Sequence, residues 1–194
     1  FGLNSFKALG SSYAMARLLA ERLGEDMSAM TFSRLSSPET KERLGELTFV
    51  TATDGNHGRA VAWTARQLGQ RAVVYMPQGT SPDRLANIQG EGAEVHIIDG
   101  NYDDAVRLAA AKAREYGWVV VQDTAWPGYE DIPRWIMQGY TTMAAEALNQ
   151  LQEQGIPKPT HVFVQAGVGA MAAAVQGYFA ARFREGRPRT LVLE

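Results

Sequence analysis

The sequence predicts an α/β fold in which parallel sheets are flanked by helices. Short segments rich in valine alternate with longer helical segments along the chain, which is typical of strands joined by right-handed helical crossovers. The strand segments are apolar on both faces, as they are in parallel sheets that helices cover. Glycine-rich turns follow two of the strands, where a parallel sheet binds its ligands.

The first half of the chain is predicted to begin with helices and to continue as alternating strands and helices. Residues 11–23 form a helix that ends at Gly24, and residues 36–47 a polar helix or loop. Ser81 and Asn101 are the predicted N-caps of two later helices. The remaining elements are strand 47–52, helix 56–68, strand 71–76, helix 82–90, strand 93–98, helix 102–116 and strand 118–122.

A loop over residues 123–133, with two prolines and one glycine, separates the two halves. The predicted elements after it are helix 135–154, strand 161–165, helix 168–184 and strand 190–193. We therefore predict two lobes, residues 1–130 and 131–194. The chain begins and ends abruptly, so we expect it to be a fragment of a longer protein.

Composition excludes several classes of function. The net charge is −2 and there is no basic tract, so neither nucleic acid nor an anionic membrane is an expected partner. Cysteine is absent, which excludes disulfides and thiolate catalysis and agrees with a cytoplasmic location. The three histidines are scattered, and no metal site is expected. The apolar stretch 161–183 is interrupted by polar residues and glycines, which favours a strand, a turn and a helix over a membrane span.

Residues 53–58 read T-D-G-N-H-G and follow a predicted strand. Ligands bind at the carboxyl ends of parallel strands, so this turn is a candidate site. The alternative is an ordinary turn with an Asx cap. A cap needs only one polar side chain, whereas this turn contains Asp54, Asn56 and His57. Taken alone, His57 fits a structural role.

A second candidate site is the turn Q-A-G-V-G-A-M after the predicted strand 161–165. Main-chain N–H groups at such a helix start suit a phosphate group. Two alternatives remain open. The glycines and alanines also suit close packing of a helix on a sheet. The run from Gly167 to Ala172 matches G-x-G-x-x-A, and Glu194 follows at a distance where a dinucleotide-binding domain has its ribose-binding acid.

Three segments in this order, S-F-K-A-L-G, T-D-G-N-H-G and A-G-V-G-A-M, resemble the fold type II (tryptophan synthase β-like) pyridoxal-phosphate enzymes. More narrowly, the chain resembles the diaminopropionate ammonia-lyase branch of that family. Without the resemblance, we would expect Lys7 to be an ordinary surface lysine in contact with solvent. The closer match is carried by FGLNSFKALG, TDGNHGRAVAW, QLGQRAVVYMP, NYDDAVRL, VVQDTAWPGYEDIPRWIMQGY and THVFVQAGVGAMA.

The resemblance implies a two-lobed fold, pyridoxal 5′-phosphate as cofactor, and a small amino acid as substrate. Lys7 would form the Schiff base with the cofactor, and Asn56 would hydrogen-bond its phenolic oxygen. The cofactor phosphate would be held by main-chain N–H groups of Gly167, Val168, Gly169, Ala170 and Met171. The substrate carboxylate would be held by Thr53, Gly55, Asn56 and His57, with Asp54 beside it.

Family members in this branch convert D- and L-2,3-diaminopropionate to pyruvate and ammonia. Lys7 and Asp54 would then be the catalytic bases, Lys7 for the L isomer and Asp54 for the D isomer. The sequence does not identify the acid that protonates the leaving amine. Tyr129 and Glu130 are weak candidates. The alternative is that they belong to an ordinary interlobe loop. A homodimer is expected for the full-length protein.

The chain departs from the general fold type II pattern at two places. Asp54 stands where a Ser or Ala is usual, and G-V-G-A replaces a run of four glycines. Both departures agree with the diaminopropionate branch. Family members extend beyond both ends of this chain, so the resemblance implies that the C-terminal part is missing and that it contains the residue that pairs with the pyridine nitrogen. The alternatives are a nicotinamide-dependent dehydrogenase, a non-catalytic amino-acid sensor, and another fold type II dehydratase or lyase.

Overall fold

The computed structural model describes residues 2–193 and divides into two compact units, residues 1–122 and 123–194. Each unit contains a parallel sheet with helices around it. The α/β class predicted from the alternation of strands and helices is therefore confirmed. The division of functional residues between lobes 1–130 and 131–194 stays a prediction.

The sheet of the first unit has four parallel strands in the order β3-β2-β1-β4. β1 is buried along its whole length and pairs with β2 on one side and β4 on the other, with Val50 opposite Val73 and Val120. The strands are β1 (Thr48–Ala52), β2 (Arg71–Met76), β3 (Glu94–Ile97) and β4 (Val119–Val120).

Six α-helices belong to the described part of the first unit: α1 (Lys7–Leu23), α2 (Phe32–Leu35), α3 (Pro38–Leu44), α4 (Asn56–Gln67), α5 (Pro82–Gln89) and α6 (Tyr102–Tyr116). A short 3₁₀ turn covers Met27–Ala29. The two predicted N-caps are confirmed, because the side chains of Ser81 and Asn101 accept hydrogen bonds from the N–H groups of Arg84 and Asp104.

Helix α1 begins four residues before its predicted start, so that boundary was wrong. Ser11, the predicted first residue, lies buried inside the helix. Its hydroxyl donates to the main-chain oxygens of Lys7 (3.2 Å) and Ala8 (3.4 Å), which lets a serine sit in a helix interior. Lys7 is consequently the first residue of α1.

The second unit consists of helices α7 (Asp131–Glu153) and α8 (Ala170–Arg182) and the parallel strands β5 (His161–Gln165) and β6 (Arg189–Leu193). Leu148 of α7, Val164 of β5 and Phe179 of α8 form its core. Residues 161–183 thus form a strand, a turn and a helix, as predicted. Within residues 2–193, none of the helices combines the length and the apolarity needed to cross a bilayer.

The start of α4 packs closely against the sheet of the first unit. A Cβ atom added at Gly58 would lie 2.2 Å from Cγ2 of Thr53 and 3.0 Å from Cγ1 of Val74. Both distances are shorter than side-chain carbon atoms normally approach. Gly58 is therefore required by packing, whatever else this turn does.

We expect Gly58→Ala to lower the free energy of unfolding by about 1–3 kcal/mol, the usual cost of overpacking. Thr53→Ser removes the methyl group that the new Cβ meets and keeps the hydroxyl. The double variant should therefore recover part of the stability lost in Gly58→Ala. Urea unfolding of the two single variants and the double variant measures this coupling. Additive losses would contradict the contact.

Candidate active site

The T-D-G-N-H-G turn lies between β1 and α4, at the carboxyl end of the central strand. The N-cap residue of α4 is Gly55, and the hydroxyl of Thr53, two residues before it, accepts hydrogen bonds from the N–H groups of Gly55 (3.0 Å) and Gly58 (3.1 Å). These hydrogen bonds are therefore accepted by a threonine and not by an Asx side chain, and the alternative of an ordinary turn is not contradicted. Asp54 instead points its side chain into solvent, where 72% of it is exposed.

His57 and Asn56 differ in burial although they are neighbours in the first turn of α4. Asn56 is exposed, whereas His57 is buried. The Nε2 atom of His57 lies 2.8 Å from the main-chain oxygen of Val121. Because a carbonyl oxygen only accepts, Nε2 carries the proton. This bond fixes the start of α4 to the end of β4, which is the structural role that His57 alone suggests.

Gln122 holds the end of β1, directly before the same turn, a role that was not identified from the sequence. Its side-chain Oε1 accepts from the N–H of Ala52 and from the hydroxyl of Thr51, each at 2.9 Å. Its Nε2 donates to the main-chain oxygen of Ala52 (3.1 Å) and to the hydroxyl of Tyr102 (2.7 Å). The buried amide thus satisfies both main-chain groups of the last residue of β1, directly before the turn.

Lys7 begins a helix that runs parallel to α4. Leu3 and Ala8 pack with Ala60, and farther along both helices Ser11 lies beside Thr64, with 3.4 Å between the hydroxyl oxygens. The contacts move forward along both helices together, so α1 and α4 run in the same direction and begin at the same end of the sheet. That end is the carboxyl end of β1, because α4 follows β1 directly. The half-buried Lys7 therefore lies at the end of the sheet that carries the turn.

A buried ion pair fixes α4 and the segment before Lys7. Both carboxylate oxygens of the buried Glu91 are used, one by Arg59 (3.1 Å) and one by Arg66 (2.7 Å). Arg59 also donates to the main-chain oxygen of Leu3 (3.4 Å). A doubly paired carboxylate of this kind holds its partners in defined positions. Nothing in the sequence around Glu91 indicated this function.

The glycine-rich turn of the second unit precedes α8, which begins at Ala170. Gly169 has φ = +88°, a conformation that favours glycine. A Cβ atom added at Gly167 or Gly169 would meet no atom of the described chain within 4 Å. Close packing within the described residues therefore does not explain these glycines. In the same part of the chain, no side chain caps α8, so its first N–H groups suit an anion.

The loop before α7 holds the two weak acid candidates in local contacts. The ring of Tyr129 stacks on Trp126, with 4.1 Å between the centroids, and Glu130 accepts from the N–H of Gly128 (3.1 Å). These contacts support the alternative of an ordinary loop. Near the start of the same unit, Asp123 is buried, and the burial of Tyr140, with the charge of Asp123 as the second cause, raises the pKa of Tyr140. Sequence reasoning missed this buried carboxyl group, although it follows a strand end.

Arg84 was also missed, although it lies against the turn. Its Nη1 atom donates to the main-chain oxygen of Asp54 (3.1 Å) and lies 3.4 Å from the carboxylate Oδ2 of the same residue. It belongs to the first turn of α5, which follows β2. The position after a strand end was the available signal, but an exposed arginine in a helix has no motif of its own.

Two curated relatives of this chain carry the same name. The diaminopropionate ammonia-lyase of Salmonella typhimurium is 56% identical over 194 residues, which is 100% of this chain and 48% of that protein. The enzyme of the same name from Escherichia coli K12 is 55% identical over 179 residues, 92% of this chain and 44% of that protein. The chain thus spans about half the length of the curated relatives that it matches.

A solved structure and a family model extend this likeness. The crystal structure of diaminopropionate ammonia lyase from Escherichia coli in complex with D-serine has a TM-score of 0.93 and 50% identity, covering 100% of this chain and 48% of that one. The model of the family described as pyridoxal-phosphate dependent enzyme matches residues 2–194. On the match over these residues, the chain belongs to the family of pyridoxal-phosphate-dependent enzymes.

Proposed function

We propose that the protein containing this chain eliminates ammonia from D- and L-2,3-diaminopropionate with pyridoxal phosphate as cofactor. Diaminopropionate and one water give pyruvate and two ammonia molecules. The observation that carries this proposal is the exposed Asp54 at the end of the sheet where Lys7 begins α1. Two potential bases at one end suit a reaction that accepts both isomers, and the relatives named above support the substrate.

The residues present fit the cofactor. The start of α8 offers uncapped N–H groups beside two glycines with open space around them, which suits a phosphate. We assign the phosphate to the main-chain donors from Gly167 to Met171. The amine of Lys7 would hold the cofactor covalently, and the exposed amide of Asn56 would hydrogen-bond its phenolic oxygen. When bound, the cofactor supplies an electron sink for the pair released at the substrate Cα.

The turn after β1 would bind the substrate carboxylate. α4 has 12 residues, and its positive end lies at this turn. The Thr53 hydroxyl and the His57 ring already hold the turn in shape. We therefore assign the direct contacts to Asn56 and the main chain of Gly55, with Thr53 and His57 keeping those donors in place.

Proton removal from the two isomers requires bases on opposite sides of the reacting carbon. The Cα protons of D and L substrates point to opposite faces once the carboxylate and the amine are held in the same places. We assign the L proton to the Lys7 amine and the D proton to the Asp54 carboxylate. In each case the Cα–H bond breaks, the base takes the proton, and the electron pair stays with the substrate.

The β-amine then leaves as ammonia, since an amide anion is too basic to leave in water. A general acid must protonate it, and Tyr129 and Glu130 remain the candidates for that step. We further infer that the full-length protein works as a homodimer in the cytoplasm. The family resemblance supports the dimer, and the absence of cysteine agrees with the location.

The competing assignment of the glycine-rich turn is a dinucleotide site with Glu194 as its ribose-binding acid. Glu194 lies outside the described residues. The family match supports the phosphate of pyridoxal phosphate instead. A dinucleotide site would also leave Lys7 and the turn after β1 without a function.

Lys7→Ala in the full-length protein should abolish pyruvate formation from both isomers and leave the far-UV circular dichroism spectrum unchanged. The side chain is only half-buried, so its loss leaves the core intact. Lys41→Ala, at an exposed lysine of α3, is the control and should keep full activity. Borohydride reduction of the wild type should fix the cofactor on the peptide that contains Lys7. Fixation on another lysine would contradict the assignment.

Asp54→Asn keeps the shape of the side chain and removes the base. We expect kcat/KM for the D isomer to fall by about 100- to 10,000-fold, as when a general base is lost. For the L isomer kcat/KM should fall much less, because Lys7 acts there. Steady-state kinetics with each enantiomer measures the difference. Equal losses for both isomers would mean that Asp54 only shapes the turn.

Gly167→Val tests the phosphate assignment without a packing clash. A Cβ atom at this position meets no atom within 4 Å in the described chain, so we expect the melting temperature of the apoprotein to stay near the wild-type value. It would stand where the phosphate approaches, and the Kd for pyridoxal phosphate should rise by about tenfold or more. Gly177→Ala, at an open position within α8, should leave that Kd unchanged. An unchanged Kd in Gly167→Val would overturn the assignment.

A further inference from the structure

Arg84 contacts Asp54 in a way that ordinary surface pairing does not explain. One nitrogen atom, Nη1, donates to the main-chain oxygen of Asp54 at 3.1 Å and reaches its carboxylate at 3.4 Å. The stem of the same arginine crosses the next residue, because its Cδ would lie 3.4 Å from a Cβ atom added at Gly55. Arg84 therefore covers the backbone of the turn and the carboxylate together.

Stability is a weak reason for this arrangement. The side chains of Arg84 and Asp54 are 56% and 72% exposed. Exposed ion pairs of this kind contribute little to the free energy of unfolding. A contact that adds so little to stability, yet fixes one carboxylate relative to its own backbone, is better suited to positioning that carboxylate.

The main chain of Arg84 is held in place by contacts of α5. Its N–H is bonded to the N-cap Ser81, and α5 is anchored by Ile88, which is fully buried. The shorter of its two contacts is to a main-chain oxygen, whose charge does not change when the carboxylate takes up a proton. Arg84 can thus stay on the turn in both protonation states of Asp54.

We propose that Arg84 is a positioning residue that keeps the Asp54 carboxylate oriented for removing the Cα proton of the D isomer. This inference rests on the proposed function. Hydrogen bonds from a guanidinium group hold a carboxylate in a defined direction, and that direction decides whether the carboxylate reaches the Cα–H bond. The Cα–H bond of the substrate breaks, an O–H bond forms on Asp54, and the electron pair remains with the substrate. Lys7 serves the L isomer and does not need Arg84.

Arg84→Met in the full-length holoenzyme keeps the stem over Gly55 and removes the guanidinium group. We expect kcat for the D isomer to fall about ten- to a hundredfold, the loss that a misplaced catalytic group causes. For the L isomer, kcat should change by less than about twofold. Arg84→Lys keeps a cation within reach and should recover part of the D activity.

Arg71→Met is the matched control. Arg71 is 55% exposed and also pairs with carboxylates, Glu46 and Glu94, but it stands at the beginning of β2. Its replacement should leave the ratio of D to L activity unchanged. A change in that ratio equal to the one in Arg84→Met would overturn the proposal, because loss of any exposed arginine would then suffice.

The double variant Asp54→Asn/Arg84→Met separates this inference from the proposed function. If Arg84 acts through Asp54, adding Arg84→Met to Asp54→Asn should cost no further D activity. Equal losses for D and L in Arg84→Met, or a higher KM for both, would show that Arg84 binds the substrate directly and would overturn the inference. If Asp54→Asn alone cost D and L equally, the proposed role of Asp54 would fail first.

Discussion

The amide of Gln122 completes the main-chain pairing of β1 where its ladder with β4 has ended. The last β4 partner in register is Val120, opposite Val50, and two residues later the Gln122 side chain bonds both main-chain groups of Ala52. A buried main-chain group left without a partner costs about 1–3 kcal/mol. The end of the central strand is therefore fixed by a side chain, and the turn that follows starts from a defined position.

Two further hydrogen bonds fix the first turn of α4. The Thr53 hydroxyl accepts a hydrogen bond from the N–H of Gly58 in the first turn of α4, and the His57 ring donates to the main chain of Val121. Both groups belong to the motif that resembles a substrate-binding turn, yet the contacts described here are internal. The side chains at Asp54 and Asn56 are left exposed. The turn thus separates residues that hold it from residues that can meet a ligand.

The parallel packing of α1 on α4 brings two positive helix ends to the carboxyl end of β1. This arrangement suits anionic groups such as the carboxylate of an amino acid. Arg59 links α4 both to the buried Glu91 and to the main chain of Leu3, so the segment leading into Lys7 is fixed to the same helix. One pair of helices thus fixes the segment that carries Lys7 and the turn after β1 at the same end of the sheet.

The sequence by itself determined the order of the elements and the place of both glycine-rich turns. Strand Arg71–Met76 and helix Tyr102–Tyr116 were predicted with their observed bounds, because apolar periodicity and caps are local signals. The start of α1 was missed, since a serine inside a helix gives no local sign of its hydrogen bonds. The motif and its resemblance also identified Lys7, Asp54 and Asn56, whose roles stay predictions.

Only the tertiary structure decided which side chains support the turn. Gln122 and Ala52 are 70 positions apart in the chain, His57 and Val121 are 64 apart, and Arg84 and Asp54 are 30 apart. Local patterns record whether a residue favours a helix, a strand or a turn. They do not record which distant main-chain group a side chain will meet, because sheet order and helix packing bring those groups together.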